Sequence, residues 1–242
     1  MEPDVLALLC DPDSRYPLEI SDGTLRNTAL GRVYPIRHGI PLFVSTVGGS
    51  NFKNQMFYDR IAPGYDLAKW VLERFGNRPD ARMEVLGELE IKPGARVLEV
   101  GVGTGAFLQY LPADVEFFGV DLSWGMLRVC QRKLKRWGRR AHLFQGEAER
   151  LPFVGEAFDC VFHAGGLGQF VDQRRAIREM IWVARPGTKI VIADEAKARG
   201  NGPGNGADVS PLELVPPEME DVKVRELAGG RMYCLTFRKP AE

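Results

Sequence analysis

The chain has 242 residues, long enough for one elaborated domain or for a main domain with a small appendage, and its pattern favours the second. With 45% hydrophobic residues, 26% charged residues and a formal net charge of zero, it reads as an ordinary globular protein whose bulk electrostatics name no partner. Cys10, Cys130, Cys160 and Cys234 form no CxxC pair, which disfavours a disulfide framework or a four-cysteine zinc site and suits a reducing, cytoplasmic setting. The N-terminus is acidic and carries prolines where a signal peptide needs a basic start. No stretch approaches the roughly 20 apolar residues of a membrane span.

Residues 1–48 are rich in proline, glycine and short apolar runs, and LGRVYPIRHGIPLFV reads as short strands divided by turns, a small β-rich module. GGSN at 48–51 reads as a joint, with Asn51 an N-cap for the helix that follows. From Phe52 to Leu89 the apolar spacing is helical, first through Met56, Phe57 and Ile61, then Leu67, Trp70, Val71 and Phe75, and last Met83, Leu86 and Leu89. RVLEVGVGTGAFLQYL, residues 96–111, reads as an apolar strand, a glycine-rich turn and a helix. Beyond it, EFFGV, HLFQ, FDCVFH and KIVIAD read as strands. They alternate with helices whose stripes are Leu127, Cys130, Leu134 and Trp137, then Ile177, Ile181 and Ala184. Such alternation implies right-handed crossovers and a parallel sheet, with ligands bound beyond the carboxyl ends of the strands. Residues 198–211 are loop-like, and VKVREL and RMYCLTFRK flank Ala228, Gly229 and Gly230 as a closing β-hairpin.

The glycine-rich turn leaves two ligands open. Gly101, Gly103 and Ala106 also satisfy a dinucleotide pattern, and Asp121 follows at about the ribose-binding distance. Glu99 argues against a dinucleotide, because a carboxylate at the strand end repels a pyrophosphate. It suits a ligand that joins adenosine to positive charge, for which S-adenosylmethionine is the candidate.

VLEVGVGTG, FFGVDLS, GEAERLPF, FDCVFHAGG, ARPGTKIVIADE and the closing hairpin, in that order, resemble the class I S-adenosylmethionine-dependent methyltransferases, especially the group of ubiquinone and menaquinone biosynthesis enzymes. The resemblance covers about residues 52–239 and implies an α/β, Rossmann-like domain over 52–242, with a seven-stranded sheet whose last strand is antiparallel. Gly101, Gly103 and Gly105 would let the backbone approach the cofactor, and Asp121 would accept the ribose hydroxyls. Leu122 and Met126 would pad the adenine, Glu147 or the Ala148 backbone would meet its amino edge, and Glu99 would lie near the methionine end. NQMFYDRIAPGYD resembles the helix that closes over the cofactor in this group, which makes Tyr58 and Tyr65 candidate contacts. His163, at a strand end facing the substrate opening, is the candidate base.

LLCDPDSRYPLEISDGTLRNTALGRVYPIRHGIPLFV resembles a small zinc ribbon. Only Cys10 stands at a ligand position; Asp13, Asn27 and Leu30 occupy the others, so no metal is expected and packing by Leu18, Ile20, Leu25, Val33, Tyr34, Ile36, Ile40 and Phe43 would hold the module. The expected function is methyl transfer to an oxygen, nitrogen or carbon of a small molecule. The basic run RVCQRKLKRWGRR, residues 128–140, keeps open a ribosomal or transfer RNA base methyltransferase. A non-catalytic binder of S-adenosylmethionine and an NAD-dependent oxidoreductase are the further alternatives.

Overall fold

The computed structural model describes residues 1–44, 49–75, 81–196 and 210–241; most of the loop read at 198–211 lies outside them. A short helix α1 (Pro3–Leu6) leads into strands β1 (Glu19–Ser21), β2 (Thr24–Asn27), β3 (Arg32–Arg37) and β4 (Ile40–Pro41), an antiparallel sheet in that order. Asp22–Gly23 and His38–Gly39 take positive φ in pairs, the two-residue turn whose twist matches that of the strands it joins.

Leu18, Leu25, Tyr34, Ile40 and Phe43 are buried, as expected, whereas Ile20 and Val33 are each 47% exposed. Ile20 sits on the edge strand β1, and Val33 pairs with Arg26 on the face opposite Leu25 and Tyr34. The two turns that carry Cys10–Asp13 and Asn27–Leu30 are joined through Asp11, which is fully buried. Its carboxylate accepts from the amides of Asp13 and Ser14, Asn27 Nδ2, Arg32 Nη1 and the Tyr34 hydroxyl, all at 2.9 to 3.0 Å. Burial works against the charge, but these bonds hold the Asp11 carboxyl well below the usual carboxylate range.

The remainder comprises α2 (Gly49–Phe75), α3 (Arg82–Leu86), β5 (Arg96–Val100), β6 (Glu116–Asp121), α4 (Trp124–Trp137), β7 (His142–Gln145), β8 (Cys160–Ala164), α5 (Gln173–Val183), β9 (Lys189–Glu195), β10 (Glu220–Leu227) and β11 (Met232–Arg238). Its seven strands run in the order β10-β11-β9-β8-β5-β6-β7. Strands β5 to β9 pair in parallel, and β11 is antiparallel to both its neighbours, as the resemblance implied. Helix α4 has clear ends: the Ser123 side chain caps the Met126 amide, and Gly138 leaves the helix at φ 64°. Among the described residues no helix is long and apolar enough to cross a membrane, and all four cysteines are free and buried.

Four local expectations fail in whole or in part. Residues 104–110 form successive turns rather than a helix, because Gly103 and Gly105 both take positive φ. Asn51 lies inside α2 and caps nothing; its side chain reaches Glu147 instead. Met56, Phe57, Leu67, Trp70 and Val71 are exposed rather than core, because α2 lays a polar face on the strand ends. At α5 Ile177 and the C-cap Ala184 are buried as expected, together with Ala176, Met180 and Val183, while Ile181 is only partly buried.

The N-terminal sheet shares its core with the large one: Val5, Leu9, Leu25 and Phe43 pack in one cluster with Phe118, Phe144 and Phe153. Backbone bonds reinforce this contact, from Phe43 to Gln145 O at 2.8 Å, Cys10 to Pro152 O at 3.0 Å and Val154 to Leu8 O at 2.9 Å. Arg15 adds an ion pair with Glu179.

Replacing Asp11 by Ala is expected to cost about 3 kcal/mol at neutral pH, since buried donors lose a charged acceptor. Because the folded carboxyl titrates below its unfolded value, its contribution is complete above about pH 4 and is lost as pH falls through the folded value. Urea unfolding of both proteins from neutral pH into acid tests this: the stability difference should shrink on acidification.

Candidate functional site

The end of β5 turns sharply through Gly101, Gly103 and Gly105, at φ 75°, 52° and 76°. These glycines serve different needs. A Cβ on Gly101 would stand 3.1 Å from the His163 ring, and one on Gly105 would stand 2.7 Å from both Cys130 Sγ and Leu108 Cδ1. A Cβ on Gly103 would meet no protein atom within 4 Å, so the turn is packed beneath and open above.

Asp121 ends β6 beside that open face. Its two carboxylate oxygens accept from Gly103 N at 2.7 Å and Ser123 N at 2.8 Å. This fixes the carboxylate plane and leaves lone pairs on each oxygen for further donors. Desolvation pushes the Asp121 carboxyl up to about 6, against the pull of those two amides, and the nearby Asp59 carboxylate adds to the rise. Glu99 is buried at the end of β5, 2% exposed. Leu122 is partly buried and its carbonyl accepts from Gln145 Nε2, while Met126 and Ala148 are buried. Glu147, after β7, is 9% exposed and bonded by Asn51 and Arg150.

Helix α2 crosses these strand ends and is tied down along its length. Asn54 Nδ2 donates to Gln169 O, and the Asp59 carboxylate accepts from Ser123 Oγ at 2.6 Å and Gly125 N at 2.7 Å. Asp66 accepts from the Thr104 hydroxyl at 2.6 Å and pairs with Lys133 at 3.0 Å. The half-buried Tyr58 lies within electrostatic reach of Tyr65, Asp121, Asp194 and Glu195. Burial and these neighbours push its phenol up to about 12.

His163 is buried at the end of β8, and its Nδ1 lies 2.7 Å from Val100 O. A carbonyl can only accept, so Nδ1 carries the proton and Nε2 holds a lone pair, with no partner among the described residues. Burial lowers its pKa and keeps the ring neutral. Asp194, at the end of β9, accepts from Gly166 N and Gly168 N and so shapes the loop after β8. Tyr233 pairs with Asp194 across β9 and β11.

The structure therefore brings together Glu99, Gly101, Gly103, Asp121, Glu147, His163 and Tyr58 at one edge of the sheet. Asp59, Asp66 and Asp194 also belong to this edge and were not singled out from sequence. Asp194 had a legible signal, since it ends an apolar strand as Asp121 does. Asp59 and Asp66 did not, because their partners lie far away in the chain.

Residues 97–187 match the family model of the methyltransferase domain. A demethylmenaquinone methyltransferase of Paenarthrobacter aurescens is 35% identical over 140 residues, which cover 57% of this chain and 53% of that protein. The chain thus spans about half the length of that curated relative. A SAM-dependent methyltransferase of Aquifex aeolicus superposes with a TM-score of 0.52 at 22% identity, covering 65% of this chain and 88% of its own. Phosphoethanolamine N-methyltransferase 2 of Haemonchus contortus, solved with S-adenosyl-L-methionine, superposes with a TM-score of 0.60 at 17% identity, covering 83% and 62%. These two show a shared fold.

The contrast between glycines is testable by denaturant unfolding. Gly105→Ala, strained and overpacked, is expected to lose about 3 kcal/mol or more, and Gly103→Ala, strained only, about 1 kcal/mol. Equal losses would contradict the open face assigned to Gly103.

Proposed function

We propose that this chain, whose residues 97–187 match the methyltransferase-domain model, is a class I methyltransferase that transfers a methyl group from S-adenosylmethionine to a small-molecule acceptor. One observation carries the reading: the fixed carboxylate of Asp121 stands beside the open face of Gly103 in an edge lined by Glu99, Glu147 and Asp194. That edge fits a ligand with a ribose diol and net positive charge. It fits a pyrophosphate poorly, because the turns at 104–110 present no helix N-terminus to phosphate.

S-adenosylmethionine, when bound there, supplies a methyl already activated by its sulfonium. Asp121 would accept the ribose hydroxyls, Leu122 and Met126 would flank the adenine, Glu147 or the Ala148 backbone would face its amino group, and Glu99 would face the ammonium. Tyr58 and Tyr65 would cover the methionine portion from α2. The main work of the chain is positioning: it holds the acceptor in line and excludes water. For an acceptor that must lose a proton, Nε2 of His163 is the base.

Relatives named for demethylmenaquinone support a ring-bearing acceptor. The RNA reading finds less support. Lys133 is paired with Asp66, and Arg139 donates to the carbonyls of Leu111 and Pro112. A cytoplasmic setting fits the four buried free thiols.

Incubation with methyl-labelled S-adenosylmethionine and separate panels of quinols, amines and RNA should place label on a small molecule. Label on RNA alone would overturn the acceptor class. Asp121→Asn should weaken S-adenosylmethionine binding about tenfold or more. Because only the ionised Asp121 accepts both hydroxyls, wild-type affinity should fall as pH drops through about 6, and this dependence should vanish in Asp121→Asn. His163→Gln should reduce turnover of a proton-losing acceptor about 100-fold while changing cofactor affinity little.

A further inference from the structure

Glu147 is not held by its own strand alone. Arg150 grips its Oε2, through Nε at 2.7 Å and through Nη2, while Arg150 Nη1 bonds Asp13 Oδ1 at 3.1 Å. Asp13 belongs to the N-terminal sheet region, and its other oxygen accepts from Arg32 at 2.8 Å, the same Arg32 nitrogen that bonds the buried Asp11. A continuous polar chain therefore runs Asp11, Arg32, Asp13, Arg150, Glu147. It ends at Glu147 Oε1, which accepts a side-chain amide N–H from Asn51 on α2 at 3.1 Å. That donor is a planar NH2 group, the same chemistry as the exocyclic amino group of adenine.

We infer that Asp13 and Arg150 are positioning residues that aim Glu147 Oε1 at an adenine amino group, so that the N-terminal sheet sets base specificity at the cofactor site. This rests on the reading of that site as an S-adenosylmethionine site. The Arg150 fork gives two bonds to Glu147 Oε2 and a third to Asp13 Oδ1, so Asp13 holds the fork and the fork fixes the Glu147 carboxylate. Oε1, with its remaining lone pair, then faces α2 and the ligand side. Exposure falls along the chain, from 39% for the Asp13 side chain and 36% for Arg150 to 9% for Glu147. The outer pair is thus partly screened, and its removal should tune recognition rather than abolish it.

Calorimetric titration of the full-length protein with S-adenosylhomocysteine and with its purine analogue, which lacks the exocyclic amino group, tests the inference. The wild type should prefer the amino-bearing ligand. In Asp13→Ala and in Arg150→Leu that preference should fall about fivefold with affinity for the purine analogue nearly unchanged, and in Asp13→Ala the melting temperature should also stay nearly unchanged. The double variant should be no worse than Arg150→Leu, because both changes break one chain. Asp22→Ala, an exposed acid of the same sheet that does not touch Arg150, should keep the wild-type preference. An unchanged preference in Asp13→Ala and Arg150→Leu would overturn the inference, as would an equal loss for both ligands, which marks a merely structural role. Failure of the wild type to bind either ligand would instead overturn the reading of the site, and the inference with it.

Discussion

The carboxylate of Asp121 bonds two backbone amides, one in the glycine turn after β5 and one at the start of α4, and so fixes the spacing between adjacent strand ends. The remaining features of the site are arranged around this tie. With it in place, Gly103 is presented open side up, and Gly101 lies against the His163 ring. Helix α2 then closes the edge with two more carboxylates, Asp59 on α4 and Asp66 on Thr104. Several acids gathered under a helix that excludes water are costly to keep ionised, which is why Asp121 titrates near 6. A ligand that brings positive charge and a diol would relieve that cost.

The N-terminal sheet is joined to this edge in two ways. Its apolar side chains enter the core beneath β5 and β6, and its polar groups reach Glu147 from outside through Arg150. Within the N-terminal module Asp11 bonds both turns and the strand behind them. A fully buried carboxylate with five donors can do this because every lone pair it brings out of water is matched by a donor.

Much of the large sheet was legible in sequence, because short apolar runs ending in Asp121 or Asp194 leave little choice of element or face. The limits of α4 were written in Ser123 and Gly138. The face of α2 was not legible. Apolar periodicity assigns Met56, Leu67 and Trp70 to a core, but the helix sits over carboxylates and hydroxyls and so turns Tyr58, Asp59 and Asp66 inward. The helix expected after the glycine turn failed for a related reason: positive φ at Gly103 and Gly105 breaks the helical path before it begins. Glu99, Asp121, Glu147 and His163 stand in or just after the strand ends that the short apolar runs predict. Asn51, which reaches Glu147, and Asp59, which bonds Ser123 and Gly125, depend on contacts distant in the chain that no local pattern encodes.

Calorimetric titration of the purified wild-type protein with S-adenosylmethionine, S-adenosylhomocysteine and NAD addresses the central claim most directly. Saturable binding of the two sulfur nucleotides without NAD is the predicted result. Tight NAD binding with no response to the other two would contradict the role assigned to the acidic strand ends.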